Sequence, residues 1–298
     1  MNAPRRRPRY GIWIAFAVVV LLAIGAYIAA AEIADELVHS RAGDPEEGVP
    51  ESVDHTYRPE VRDGITLDVW VLDPEADKPE GAVDTALILH GKADRKRSMA
   101  GLARRFAKAG VRAVLVDMRG HGRSTDTELT YGVEERRDLS ALLDWFEGEG
   151  IDLGSIGVYG PSYGGAVALQ LAGTDPRIDR VVAVAAFRSF PDIAHALLEL
   201  PPWAIEGVVM ASGFEAGFRP DDASPERHIT ATEADVILLY SRDDEIVPFA
   251  HGQAVARACG EHCRLIPMDD FDHLGSLSNP IVRAELHQHL VGVPYTGH

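Results

Sequence analysis

The fold of this chain is decided by residues 156–165, Ile-Gly-Val-Tyr-Gly-Pro-Ser-Tyr-Gly-Gly. An apolar run leads directly into Gly-x-Ser-x-Gly, and small and apolar residues continue to Ala172. This order predicts a buried strand, a sharp turn that holds Ser162 in a strained conformation, and a helix. Gly160 and Gly164 leave room for strand and helix to approach closely, and the helix N-terminus points at negative charge that develops beside the hydroxyl. The string alone is moderate evidence, so the prediction depends on its surroundings.

Short apolar runs alternate with amphipathic stretches on both sides of this turn. The predicted buried strands are 86–89, 111–116, 156–159, 181–185, 236–240 and 264–268, and alternation at 65–71 predicts a half-buried strand. The predicted helices are 99–109, 131–148, 162–172, 249–258 and 280–290. Strands that are almost continuously Val, Ile and Leu, each followed by a helix, predict a mostly parallel sheet with helices on both faces. In such sheets the chemistry lies at the carboxyl ends of the strands.

One segment interrupts this alternation. Residues 188–234 contain no clear strand, and helical spacing at 193–200 and 204–210 is separated by Pro201-Pro202. We expect this insertion to form a small helical cap that shapes the substrate pocket.

A serine hydroxyl needs a base before it becomes a useful nucleophile. On this kind of fold the acid and then the base follow the serine in chain order. His273 follows the last predicted strand and is the expected general base, while Asp243 and Asp244 both follow the strand at 236–240. One aspartate is expected to hold the histidine, and the other could merely cap the next helix.

The negative charge of a tetrahedral intermediate needs backbone N–H donors. The expected donors are the N–H of Tyr163, directly after the serine, and the N–H of Lys92, after the strand that ends in His90-Gly91. Only the backbone of Lys92 is involved in this role. His90 is an alternative base, but it precedes the serine in the chain, so we expect it to pack beneath the oxyanion loop.

Four motifs occur in an order that resembles the α/β-hydrolase superfamily, from about residue 55 to the C-terminus. They are His90-Gly91, Asp-Met-Arg-Gly-His-Gly-Arg-Ser at 117–124, Gly-Pro-Ser-Tyr-Gly-Gly at 160–165, and Asp-Glu-Ile-Val-Pro at 244–248 followed by His273. The likeness is greatest to small bacterial hydrolases of the serine aminopeptidase/monoacylglycerol-lipase and Bem46-like groups. The resemblance implies an eight-stranded sheet and a catalytic triad of Ser162, Asp244 and His273.

The resemblance also decides between the two aspartates. In that family the acid stands four residues before a proline, here Pro248, which selects Asp244. The loop at 117–124 resembles a structural turn, which implies that His121 and Ser124 are not catalytic. Asp272 departs from the pattern, because a small residue is commoner before the histidine, and this extra acid is expected to alter the surroundings of the base.

The N-terminal region predicts attachment to a membrane. Four arginines lie within residues 1–9, and no charged residue occurs from Tyr10 to Ala31. An apolar run of this length can cross a bilayer as one helix, and basic residues stay on the cytoplasmic side. We therefore expect a cytoplasmic tail at 1–9, a single-pass anchor at 10–31, a spacer at 32–53 and an extracytoplasmic α/β-hydrolase domain at 54–298. A cleaved signal peptide, with small residues at 29–31, is the alternative.

Composition limits the partners. The length of 298 residues allows one large domain, and the formal net charge of -17 disfavours binding to nucleic-acid phosphates.

The two cysteines, Cys259 and Cys263, are expected either to form a small disulfide or to remain as buried thiols. No motif indicates a metal or a cofactor, so neither is expected, and the sequence carries no signal for an oligomeric state.

The expected activity is hydrolysis of carboxylic esters, lipid-derived ones among them, through an acyl-enzyme on Ser162. An envelope acyltransferase and a serine peptidase would use the same triad, so both alternatives stay open. A non-catalytic interaction protein that kept the fold is the alternative from another class. The expected partners are a small-molecule ester or lipid-like substrate and the membrane itself.

Overall fold

The strands of the protein are defined in a computed structural model that describes residues 10–40 and 48–294. They are β1 His55–Tyr57, β2 Glu60–Arg62, β3 Ile65–Thr66, β4 Asp68–Leu72, β5 Thr85–Ile88, β6 Arg112–Asp117, β7 Ile156–Pro161, β8 Ile178–Val184, β9 Asp235–Ser241 and β10 Cys263–Met268. The expected basic tail at 1–9 lies outside the described residues.

Eight of these strands form one sheet in the order β1-β4-β6-β5-β7-β8-β9-β10, and β2 and β3 form a separate hairpin. The pairs β1-β4 and β4-β6 are antiparallel, whereas every pair from β6 to β10 is parallel. The predicted mostly parallel eight-stranded sheet is therefore confirmed. The edge strand β1 was not among the predicted strands, and the stretch predicted at 65–71 divides into β3 and β4.

Helices cover both faces of this sheet. They are α1 Tyr10–Val38, α2 Ala100–Lys108, α3 Glu135–Gly148, α4 Tyr163–Ala172, α5 Phe190–Leu197, α6 Pro202–Glu215, α7 Pro225–His228, α8 Phe249–Cys259, α9 His273–Ser278 and α10 Pro280–Leu286. The segment between β8 and β9, which was expected to form a cap, contains α5, α6 and α7.

The period-two alternation of the strands divides the interior into two apolar layers. In β6, Val114 and Val116 face the layer formed with α1, α3, α4 and the cap helices. Ala113 and Leu115 face the opposite layer, which contains Phe106 of α2 and residues of α10. Both faces of the strand are covered, which explains why the strands are continuously apolar in sequence.

Helix α3 begins later than its sequence pattern predicts. The expected start was Tyr131, but Tyr131 and Gly132 have φ angles of +54° and +102°, which a right-handed helix does not allow. The Glu135 carboxylate accepts hydrogen bonds from the N–H groups of Thr130 and Gly132 and from the Thr130 hydroxyl. This compact turn replaces the first helical turn, and it places Tyr131 beside the carboxyl edge of the sheet.

Helix α1 continues past the predicted end of the anchor. The segment Phe16–Val38 contains an 18-residue stretch with a mean hydropathy of 2.3, and this stretch is not buried by the rest of the protein. The last turns differ, because Ala34, Leu37 and Val38 are buried in the same layer as the cap helices. The first part of the segment expected as a spacer is thus helical and packed on the domain.

The two cysteines form a disulfide, Cys259–Cys263, between the end of α8 and the start of β10. The structure therefore contains the first of the two alternatives that the spacing allowed.

Candidate active site

Ser162 lies at the sharp turn between β7 and α4. Its φ and ψ are +50° and −116°, a strained conformation for a residue with a side chain. The turn is possible because glycines surround it: a Cβ on Gly160 would lie 2.3 Å from the Gly164 backbone, and a Cβ on Gly164 would lie 2.5 Å from the His90 carbonyl oxygen. The local sequence thus fixes both the close approach of strand and helix and the direction of the hydroxyl.

The structure brings Ser162, His273 and Asp244 into one hydrogen-bonded chain. The His273 Nε2 lies 3.1 Å from the Ser162 Oγ, and its Nδ1 lies 2.8 Å from the Asp244 Oδ2. The three residues follow β7, β10 and β9, three parallel strands whose carboxyl ends meet at one edge of the sheet. Because the carboxylate accepts from Nδ1–H, the lone pair of Nε2 faces the serine hydroxyl.

The two neighbouring aspartates have different partners. The Asp244 Oδ1 accepts hydrogen bonds from the N–H groups of Ile246 and Val247, at 2.9 and 2.8 Å, which leaves Oδ2 for the histidine. Asp243 points elsewhere, and its Oδ2 accepts from the N–H of Asp270. Geometry therefore selects the same aspartate as the family resemblance.

Asp272 has a structural contact of its own. Its Oδ1 accepts a hydrogen bond of 2.6 Å from the N–H of Gly275, and the residue forms the N-cap of α9. His273 is the first residue of that helix. The acid that departs from the family pattern thus fixes the start of the helix that carries the histidine.

The two expected oxyanion donors, Tyr163 and Lys92, line the same pocket as Ser162. Tyr163 is the first residue of α4, so its N–H has no partner within the helix. Ala93, directly after Lys92, has a φ of +58°, which shows that the oxyanion loop makes a tight and strained turn.

His90 lies beneath this loop. Its Nδ1 donates to the Gly91 carbonyl oxygen at 2.8 Å, and its Nε2 accepts from the Met118 N–H at 3.1 Å. Both ring nitrogens are therefore used, and burial lowers the pKa of His90. The residue is a neutral packing element and not a base for Ser162.

The loop at 117–124 is held together by its own contacts. The Asp117 carboxylate pairs with the buried Lys96 ammonium, which also contacts Asp68 at 2.6 Å. The Ser124 hydroxyl accepts from the Asp68 N–H and donates to the Asp117 carbonyl oxygen. Ser124 is thus occupied within the fold, as expected for a structural turn.

Tyr131 belongs to the site although its sequence context predicted a helix. Its side chain lines the pocket and packs against Phe190, with ring centroids 4.2 Å apart. Its hydroxyl donates to the Leu37 carbonyl oxygen at 2.8 Å, and the Lys92 ammonium donates to the same oxygen at 2.6 Å. The end of α1 therefore contacts the wall of the site. The sequence did contain one signal for a turn at this place, namely the pair Tyr131-Gly132 directly before the acidic start of a helix.

The pocket above Ser162 has a volume of about 410 Å³ and is mainly apolar. Its apolar side chains include Met99, Phe187, Ile193, Leu197, Ile246 and Leu274. Among the described residues that line it, Asp94 is the one carboxylate apart from the triad, and its oxygens accept from the Arg95 N–H and the Ser98 hydroxyl. Such a pocket favours an apolar group beside the serine.

Fold and site together define the class of protein: a serine hydrolase of the α/β-hydrolase superfamily, with a strained serine after a parallel strand and a histidine and an acid on later strands. The sequence pattern of the X-Pro dipeptidyl-peptidase family (S15) matches residues 63–227, more than half of the chain. The chain belongs to this family.

Curated relatives are distant. The chain is 27% identical over 179 residues to the protein YqkD of Bacillus subtilis, an alignment that covers 57% of this chain and 58% of that protein. It is 22% identical over 237 residues to YfhR of Escherichia coli, with 79% and 77% covered. The human acylamino-acid-releasing enzyme is 25% identical over 213 residues, which cover 65% of this chain and 29% of the human one. The chain thus matches less than two thirds of the length of the first of these relatives.

Solved structures share the fold. The esterase Pf2001 of Pyrococcus furiosus superposes with a TM-score of 0.64 at 21% identity, covering 84% of this chain and 96% of the esterase. A puromycin-hydrolyzing peptidase of Mycobacterium tuberculosis superposes with a TM-score of 0.63 at 19% identity, covering 82% and 40%. At these identities the likeness establishes the α/β-hydrolase fold.

Proposed function

We propose that the protein hydrolyses carboxylic esters through an acyl-enzyme on Ser162, with His273 and Asp244 completing the catalytic triad. The observation that carries the proposal is the hydrogen-bonded chain from Ser162 through His273 to Asp244, which lies at the base of an apolar pocket.

In this mechanism the His273 Nε2 removes the proton of the Ser162 hydroxyl as its oxygen attacks the ester carbonyl. The N–H groups of Tyr163 and Lys92 stabilise the resulting oxyanion. His273 then gives the proton to the departing alcohol, and a water molecule, activated by the same nitrogen, releases the acid. Asp244 holds the Nδ1–H and stabilises the imidazolium that forms in both steps.

The pocket favours an ester over a free peptide. An exopeptidase that binds a peptide amino terminus needs a carboxylate for its ammonium group. Asp94 is the one carboxylate among the described pocket residues, and its two oxygens are held by hydrogen bonds from the Arg95 N–H and the Ser98 hydroxyl. The apolar lining instead suits an acyl chain.

A serine peptidase is the second candidate, because the chain belongs to a family described as X-Pro dipeptidyl-peptidases. Amide cleavage would use the same nucleophile, base and oxyanion donors. The structural neighbours include both esterases and peptidases, so activity measurements decide between the two.

We also propose that α1 anchors the enzyme in the cell membrane, with the basic N-terminus in the cytoplasm and the hydrolase domain outside it. The length and hydropathy of Phe16–Val38 and the arginines at 5–9 support this orientation. Cleavage as a signal peptide after Ala31 would still leave the packed residues Ala34, Leu37 and Val38 on the domain.

The test is labelling of the detergent-solubilised full chain with a fluorophosphonate, beside Ser162→Ala. We expect labelling of the wild type and none of the variant. Turnover of nitrophenyl esters with increasing acyl length is then compared with turnover of X-Pro amides, with and without added alcohol. Preferred amide cleavage would replace the ester proposal by the peptidase, and acyl transfer to the alcohol in preference to water would indicate an acyltransferase. A folded protein that is not labelled would favour a non-catalytic role.

A further inference from the structure

Exposed apolar side chains are concentrated around the entrance of the pocket. Outside α1, ten large apolar residues among those described are exposed, and seven of them belong to α5, α6 and the connection between them, to the loop after β9 and to α9. We call this region the entrance surface; it consists of Leu197, Leu200, Trp203, Met210, Phe214, Ile246 and Leu274. Exposed apolar side chains grouped on neighbouring elements in this way mark an interaction site and are unusual on a protein that contacts only water.

Helix α6 contributes the largest exposed side chains of the entrance surface. Trp203, Met210 and Phe214 follow one another at helical spacing and are 73%, 65% and 85% exposed. The opposite side of the helix, including Ile205 and Val209, is buried on the domain. The exposed side of α6 carries Glu206 beside these apolar side chains, and the 14 residues of the helix are too few to cross a membrane. Such a helix is expected to lie at the membrane interface.

The entrance surface continues into the pocket itself. Leu197, Ile246 and Leu274 are exposed and also line the pocket that contains Ser162. Leu197 ends α5, and Leu200 connects it to α6. The apolar lining of the site is therefore continuous with the apolar exterior of the cap.

The anchor helix identifies what covers this surface. Helix α1 packs along α6. Near its C-terminal end, the Leu37 carbonyl oxygen accepts the hydrogen bond from Lys92, at the oxyanion loop. Leu37 is six residues beyond Ala31, where the uncharged run ends, which is about 9 Å along a helix. An α1 that spans a bilayer thus brings the pocket entrance and α6 to the level of the lipid headgroups.

We propose that the entrance surface inserts into the outer leaflet of the bilayer that α1 spans, and that the substrate is a long-chain ester that enters the pocket directly from that leaflet. This inference rests on the proposed membrane anchor for its location and on the proposed ester hydrolysis for its substrate. Two charged groups of α6 lie beside the surface: Glu206 is 3.1 Å from the His195 ring, and Glu215 clusters with Asp35 and His39 at the end of α1.

The position of α6 is tested first by fluorescence. Both native cysteines are in the disulfide, so a cysteine introduced by Phe214→Cys is the one free thiol and accepts an NBD label. The control is Glu149→Cys, an exposed residue that follows α3 on the same domain. In phosphatidylcholine vesicles we expect blue-shifted NBD emission and quenching by spin-labelled lipid for the label at 214, and neither effect at 149. Equal emission and quenching at the two positions would overturn the inference.

The substrate route is tested by kinetics in the same vesicles. The variant combines Trp203→Ser, Met210→Ser and Phe214→Ser, none of which lines the pocket. We expect turnover of nitrophenyl acetate in water to stay within about twofold, and turnover of vesicle-bound nitrophenyl palmitate to fall about tenfold. The matched control replaces the three exposed apolar residues elsewhere, Val49, Ile281 and Val293, by serine and should leave both rates unchanged.

The two measurements separate the possible failures. Co-flotation with the vesicles checks that α1 still attaches every variant to the membrane. In one outcome the wild-type protein cleaves both esters and the triple variant cleaves nitrophenyl palmitate equally fast. This outcome would contradict entry of the substrate from the membrane and would leave the proposed ester hydrolysis in place. In another outcome the wild-type protein cleaves neither ester, but the label at position 214 still lies in lipid. This outcome would contradict the proposed activity and substrate and would support the membrane contact.

Discussion

Asp243 and Asp244 show how much of this site depends on single residues. They are adjacent in the chain, yet the Asp244 Oδ2 lies 2.8 Å from the His273 Nδ1, while Asp243 accepts a hydrogen bond from the backbone of Asp270. The difference is made by the turn after β9, whose N–H groups at Ile246 and Val247 hold only Asp244 in position.

This division predicts opposite outcomes for two matched substitutions. Asp244→Asn should lower kcat about 10³–10⁴-fold, because the amide no longer holds the histidine in the productive tautomer. Asp243→Asn should change kcat by less than about tenfold, because an Asn oxygen can still accept from the Asp270 N–H. Single-turnover kinetics with a soluble ester, beside thermal melting of each variant, makes the comparison. Equal losses of activity in two folded variants would contradict the assignment of the acid.

Helix α1 acts at the scale of an element, because its last turns belong to the hydrolase domain. Leu37 and Val38 are buried, the Val38 carbonyl oxygen accepts from the Leu129 N–H, and the Leu37 carbonyl oxygen accepts from Tyr131 and Lys92. Helix α1 is thus connected to the wall of the pocket and to the loop that supplies a proposed oxyanion donor.

Two truncations separate the anchoring role from this packing role. Removal of residues 1–31 should leave the domain folded and active on a soluble ester. Removal of residues 1–40 also deletes Ala34, Leu37 and Val38 and should lower the free energy of unfolding by about 3–6 kcal/mol. The second truncation should also lower kcat, because the Lys92 loop loses its contact with α1. Urea unfolding and ester turnover of both proteins provide the measurement, and equal stability would show that the helix end only rests on the domain.

At the scale of the whole molecule, the sequence predicted what depends on local pattern. Six apolar runs and one alternating stretch located seven of the eight strands of the sheet. The glycines around Ser162 predicted its turn, because close approach and a positive φ require particular residue types at fixed positions. Strand ends and the order of acid and base in the chain predicted His273 and the pair Asp243-Asp244, and the family resemblance selected Asp244 from that pair.

What the sequence did not predict depends on contacts between distant segments. The Tyr131 hydroxyl and the Leu37 carbonyl oxygen are 94 positions apart in the chain, so no local pattern relates them. Residues 32–53 are rich in Ala, Glu, Gly and Pro, with the acids Glu32, Asp35 and Glu36 among their first apolar residues, and they show no clear period, which predicted a spacer. In the structure these acids lie on the exposed side of the helix, and the apolar residues face the domain.

Histidines give the whole molecule a predictable response to acid. Burial is the main cause that lowers the pKa of six of them: His90, His121, His228, His251, His287 and His289. The effect is large for His121, whose pKa falls to about 3, with His90 as the second cause. In the unfolded chain these rings bind a proton near pH 6.5, whereas in the folded protein they stay neutral to lower pH. Their contribution to stability is therefore complete above about pH 6.5 and is lost as the pH falls below it.

Comparison of the wild type with a single histidine variant isolates this effect between about pH 6.5 and 4.5, because the carboxylates that titrate at the lower end contribute equally to both proteins. Each histidine that stays neutral in the fold should remove about 1.4 kcal/mol of stability per pH unit in this range. His121→Asn should therefore reduce the loss between pH 6.5 and 4.5 by about 2 kcal/mol, since the unfolded variant no longer takes up that proton. Urea unfolding of the protein without residues 1–31 at both pH values measures the difference, with the exposed His262→Asn as control. Parallel losses in wild type and His121→Asn would show that the ring already binds a proton in the folded protein.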